Sequence, residues 1–364
     1  MEGSSNKKQS YLTVSQFALI IFGAIVGVGI LSLPNGVVKT AHQDGWISTL
    51  IGGIYPLYVV MIASYIGKKF PNVSILILSK KYFGRFFGST FNLIFATYFI
   101  FVASMIASYY SNLVRTYMVG FLTPIKIIGI LFICIIYATS RGLKVIGIIS
   151  EISFYLTIIL ILSPIVALRY ANMTNISPVF GSGFSSIAKG TLKSVFAYSG
   201  AEIILLIYPF LKEKNKMLIS SLISVTLVIV MYVWCVFVTT FYLGPDIVNK
   251  NNWSFLLVTG SLTITVVNNY RFIFIFLWSL IAYKSISINC YASIYILKQF
   301  AHKIEIKKIY FFMYPLLVYL ALKFGNEISR QNISDNVIPW YSIFNLLYMT
   351  AIALFISFKG GGKA

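Results

Sequence analysis

Ten apolar stretches run the length of this chain, at 11–33, 46–67, 88–114, 124–140, 146–168, 187–211, 217–243, 268–296, 309–324 and 338–357. A helix rises 1.5 Å per residue, so crossing a hydrocarbon core about 30 Å thick takes about 20 mostly apolar residues. Lipid offers no hydrogen-bond partners, so a chain patterned this way must satisfy its backbone within helices. The pattern predicts an all-α polytopic membrane protein with about ten transmembrane helices, a single domain over 1–364 with no soluble part to excise. Charge agrees, because only 10% of the residues are charged. A soluble domain carries about 25%, so this chain has too few to cover a water-facing surface. The segment 70–87 mixes apolar and basic residues and reads as an amphipathic connector on the membrane surface, with Lys80, Lys81 and Arg85 against anionic lipid.

The net charge of +20 would suit nucleic acid if it formed one patch, but the basic residues are distributed among the loops, and no nucleic-acid partner is expected. Placing the N-terminus in the cytoplasm leaves most of the 29 Lys and Arg residues inside. That is the bias of a multi-pass membrane protein, and it puts both termini in the cytoplasm. Lys284 is the one basic residue deep within a span.

Nothing in the pattern suggests catalysis, a cofactor or a metal. Cys134, Cys235 and Cys290 lie in apolar stretches without ligand spacing and read as small core residues. His42 and His302 fall in loops without partners, and Glu151 reads as an interfacial ion pair with Arg141 or Lys144.

Two spans are interrupted. The first contains GAIVGVGILSLP, with Gly23, Gly27 and Gly29 ahead of Pro34. Each glycine costs a helix about 1 kcal/mol relative to alanine, which invites unwinding, although Gly23 and Gly27 equally suit close packing of helices through small residues. The sixth contains Ser199, Gly200 and Glu202 at mid-span and Pro209 near its inner end. A carboxylate at that depth is normally paired or faces a polar cavity. Interrupted helices opening each of two five-helix halves, about 11–168 and 187–357, point to a 5+5 inverted repeat with its site at the midplane.

The GVGILSLP segment from Gly27 to Pro34, the FAYSGAE segment from Phe196 to Glu202, the short basic N-terminus before Ser10-Tyr11-Leu12-Thr13 and the helix count together resemble the spore germination permease family, the GerAB-type B subunits of nutrient germinant receptors, within the amino acid-polyamine-organocation superfamily. The resemblance implies a LeuT-like fold, a small-nutrient site between spans one and six, and partnership with an A subunit and a lipoprotein C subunit in the inner membrane of a spore. The function it implies is nutrient sensing that triggers germination. An amino acid secondary transporter of the same fold is the alternative, since fold alone does not separate the two.

Within that fold the expected ligand is a zwitterion. Free N–H groups after the glycines of span one, at the positive end of a half-helix, suit a carboxylate, and carbonyls of span six suit an ammonium. The expected lining residues are Ala24, Gly27, Gly29, Phe196, Ser199, Gly200 and Glu202. Tyr98 joins them from span three, with Tyr109, eleven residues on, on the same helical face. For Lys284 three readings stand open: a fixed cation in place of a coupling sodium ion, snorkelling to the inner interface, or a pair with Glu202.

Overall fold

The computed structural model describes residues 11–261, 270–301 and 303–358, so His302 lies outside the described residues. Those residues form helices α1 (Val14–Ile25), α2 (Leu33–Ala41), α3 (Gly45–Gly52), α4 (Ile54–Lys69), α5 (Ile75–Tyr117), α6 (Pro124–Ser140), α7 (Leu143–Leu162), α8 (Phe184–Ala197), α9 (Ile204–Ile207), α10 (Met217–Leu243), α11 (Pro245–Lys250), α12 (Ser254–Gly260), α13 (Tyr270–Phe300), α14 (Ile306–Lys323) and α15 (Glu327–Phe358), joined by short 3-10 turns. Each of the ten predicted spans is mostly helical where it is described, with spans one and six interrupted. By length and composition, six helical stretches can cross a membrane, seven counting a pair bent by 44° between Phe184–Ala197 and Ala201–Phe210; α1 and α6 are shorter apolar helices.

Local chemistry sets the ends. Thr13 caps α1 in a reciprocal box with Gln16: each backbone N–H is received by the other's side chain. The helix stops at Ile25, Val26 and Gly27 are extended, one 3-10 turn covers Val28–Leu31, and α2 restarts with Pro34 in its first turn. Proline suits that place because the first-turn N–H it lacks has no helical partner.

The 70–87 connector forms the start of α5, bent at Gly84, whose φ is +79°. Beyond the kink the chain folds back, so that a Cβ on Gly88 would fall 2.6 Å from the Ser79 carbonyl oxygen. Asn92 donates to the Leu76 carbonyl at 2.9 Å. Ile75, Leu76 and Leu78 are buried against the protein, whereas Ile77, Phe86 and Phe87 are exposed. Three expectations change. Cys134 is exposed on the outside of the bundle; Glu151 makes no ion pair among the described residues and accepts a long hydrogen bond from Gln16 at 3.4 Å; and the last helix starts at Glu327, not at 338. Hydropathy marks where a helix meets lipid, whereas its hydrogen bonds continue through the polar turns beyond.

α1 is the centre of the bundle, packed against α7, α10 and α13. The approach to α13 is close. A Cβ on Gly23 would lie 2.9 Å from Lys284 Cδ, and one on Gly27 2.9 Å from Ser285 Oγ. The small-residue packing and the break therefore coexist in one segment.

Candidate functional site

The two interrupted helices break beside each other. Helix α8 ends at Ala197, and Gly200 takes a φ of +115° before a 3-10 turn leads into α9. A Cβ on Gly200 would fall 2.5 Å from the Ala24 carbonyl oxygen. Glycine is required here twice, by the left-handed backbone and by the close approach. The Tyr232 hydroxyl, from α10, lies 2.9 Å from the Ile25 carbonyl oxygen and 3.3 Å from that of Ala197. A single O–H can donate to either, so it ties the two breaks together.

A cavity of about 470 Å³ opens at this crossing. It lies within the range of small-molecule sites, roughly 300–1,000 Å³. Ala24, Gly27, Gly29, Phe196, Ser199 and Tyr109 line it. The cavity runs toward the end of α2 and the first turns of α15, where Lys39 and Gln331 are exposed. Near that end α8 and α15 are bridged by an ion pair, Lys193 Nζ to Asp335 Oδ2 at 2.8 Å. At the opposite end the chain is sealed: Leu12 N–H donates to the Phe210 carbonyl at 2.8 Å and Lys212 N–H to that of Leu12 at 3.1 Å, while the Tyr208 hydroxyl donates to the Val73 carbonyl.

Tyr98, Gly200 and Glu202 lie outside the lining. Glu202 is fully buried and accepts from the hydroxyls of Tyr55 and Tyr98, the latter at 2.9 Å, and from Gly200 N–H at 2.8 Å. Three donors around one carboxylate satisfy it without a cation, which answers the cost of placing it at mid-span. This cluster pins the break of span six to α4 and α5. Its geometry makes Glu202 a support of the wall rather than part of the wall itself.

Lys284 is fully buried, its Nζ has no hydrogen-bond partner among the described residues, and it sits 5.4 Å from the Phe22 ring centroid. The side chain neither snorkels nor pairs with Glu202, and it is not in the cavity lining. Ser285 Oγ, Ser287 Oγ and Asn289 Oδ1 beside it also lack partners among the described residues.

Sequence reasoning missed the outer half of the cavity. Lys193, Glu327, Arg330 and Asp335 were not singled out by the sequence, and only the bundle places them over the cavity. The sole signal was the density of Glu327, Arg330 and Asp335 in the polar stretch preceding span ten.

A helical membrane bundle whose first and sixth helices break at facing points around a central cavity defines the class, a multi-pass membrane protein of the LeuT transporter fold. The solved structure of MhsT in complex with L-phenylalanine shares that fold, with a TM-score of 0.64 at 14% identity over 94% of this chain and 89% of MhsT. The sequence narrows the class further. A family profile described as spore germination protein matches residues 11–328, and the chain belongs to that family. It is 23% identical over 288 residues to spore germination protein YndE of Bacillus subtilis strain 168 (78% of this chain, 79% of YndE). It is also 23% identical over 262 residues to GerQB of Bacillus cereus (72% of each) and 27% identical over 239 residues to spore germination protein A2 of Bacillus subtilis (63% and 64%). Fold and family are those of a permease, not an enzyme.

Proposed function

We propose that this chain is the membrane subunit of a germinant receptor that binds a small nutrient, an amino acid, in the cavity between the two broken helices and triggers germination through its partners. The observation that carries the proposal is that the break at Ala24–Gly29 and the end of α8 at Phe196–Ser199 line one cavity wall, with Gly200 packed behind it on Ala24. Broken helices expose backbone donors and acceptors that an intact helix consumes, and a zwitterion needs both. The chain sits in the inner membrane with both termini cytoplasmic, as two five-helix halves of about 11–168 and 187–357, beside receptor A and C subunits. Family membership and the basic-residue bias support that placement.

The competing reading is an amino acid secondary transporter. Spores dependent on this receptor separate the two when their germination is measured beside uptake of labelled amino acid into vesicles. Receptor function predicts a dose-dependent response that Gly27→Val abolishes with the protein still in the membrane. Sustained, concentrative uptake with no germination phenotype would reverse the assignment.

A further inference from the structure

Arg330 is 2% exposed yet lines the cavity. Its guanidinium stacks 4.4 Å above the Tyr109 ring, one terminal nitrogen (Nη2) donates to Glu327, and the other, Nη1, is buried with no partner among the described residues. The Tyr109 hydroxyl, in the same wall, is also buried without a partner among the described residues. Two donors are thus left open in one wall, on side chains held in place by an ion pair and a ring stack. Guanidinium is a planar fork of N–H donors with no acceptor, so what it lacks is an sp² oxygen. Five charged side chains line this cavity: Lys193 with Asp335, Arg330 with Glu327, and Lys39. The pairs cancel, which leaves one positive charge in excess and makes an anion welcome.

The breaks of α1 and α8 supply groups for the amino and carboxyl ends of a ligand. The space beyond them, toward α15, belongs to its side chain. We propose that Arg330, with the Tyr109 hydroxyl, receives a side-chain carboxylate or primary-amide oxygen, so that the cavity selects dicarboxylic amino acids or their amides over aliphatic ones. This rests on the proposed ligand cavity and names its substrate class.

The test is thermal stabilisation of the purified full chain in nanodiscs by L-glutamate, L-glutamine, L-aspartate, L-asparagine, L-alanine and L-leucine. At least one of the first four stabilises the wild type at concentrations roughly 10- to 100-fold below those required of alanine and leucine, the range expected when one charged hydrogen bond is gained. The acid and amide pairs show which oxygen is read. Arg330→Lys, which keeps charge but not the fork, removes that preference and leaves the weak aliphatic binding in place. Preferential stabilisation by alanine or leucine overturns the role of Arg330 while the ligand cavity stands. An unchanged acid or amide preference in Arg330→Lys overturns it too. Absence of stabilisation by all six overturns the cavity reading as well.

Discussion

Gly200 faces Ala24 so closely that a β-carbon on it would lie 2.5 Å from the Ala24 carbonyl oxygen, and its φ of +115° disfavours any other residue. The two half-helices of spans one and six therefore meet through backbone. Gly200→Ala is expected to destabilise the fold by about 1–3 kcal/mol from backbone strain alone, with a further steric term. Gly29→Ala is the control, because nothing lies within 4 Å of its added Cβ. It should leave the melting midpoint unchanged and weaken nutrient response by intruding on the cavity. Thermal unfolding and dose-response curves check both; equal melting midpoints for Gly200→Ala and wild type would contradict the contact.

Tyr98 and Tyr109 share a helical face but do different work. The Tyr98 hydroxyl is spent on Glu202, whereas that of Tyr109, in the cavity wall, has no partner among the described residues. Tyr98→Phe should cost about 1.5–3 kcal/mol of stability, the value of a hydrogen bond to a charged group, with ligand affinity little altered. Tyr109→Phe should do the reverse. Glu202→Gln should destabilise at least as much as Tyr98→Phe, and the double variant less than the sum, because both changes remove one interaction. Fully additive losses would place the two residues in separate networks.

Lys284 places an amino group with no partner among the described residues under Gly23 and Phe22, next to the break in span one. Replacing a buried polar group that lacks a partner with an apolar side chain of similar volume relieves its desolvation. Lys284→Met should therefore be no less stable than wild type. If the ammonium serves as a fixed cation beside the break, that variant also loses nutrient response, and the wild type responds with sodium replaced by an organic cation. A strict sodium requirement, or full response from Lys284→Met, removes the lysine from the mechanism.

The Lys193–Asp335 pair bridges α8 and α15 at the outer end of the cavity, with side chains 38% and 42% exposed. Pairs this exposed contribute about 0–1 kcal/mol, so Asp335→Asn should leave the melting midpoint in place. Its effect belongs in kinetics: without the bridge, ligand should enter and leave faster. Rapid-mixing measurements with a fluorescent or radiolabelled amino acid show it. Unchanged association and dissociation rates would mean the pair does not restrict entry.

Much of this molecule is determined by one-dimensional chemistry. Apolar length fixed the spans, because lipid forces each segment to close its own hydrogen bonds. Glycine, proline and a lone carboxylate marked the two breaks, since a helix tolerates such residues at mid-span only for a reason. Those local signals also named Ala24, Gly27, Gly29, Phe196 and Ser199, which the fold gathers around one cavity. Tertiary structure decided the rest. Tyr55 and Tyr98 sit far from Glu202 in sequence, so its satisfaction by three donors depends on α4, α5 and span six converging. Lys284 lost two of its three readings only when packing against α1 enclosed it away from water and from Glu202. Arg330 and Asp335 carry no site signal in the sequence, and it is the extension of α15 past its apolar stretch that carries them over the cavity. Hydropathy and propensity report what each residue needs from its solvent; which partner meets that need is set by the crossing of helices, and no local pattern encodes it.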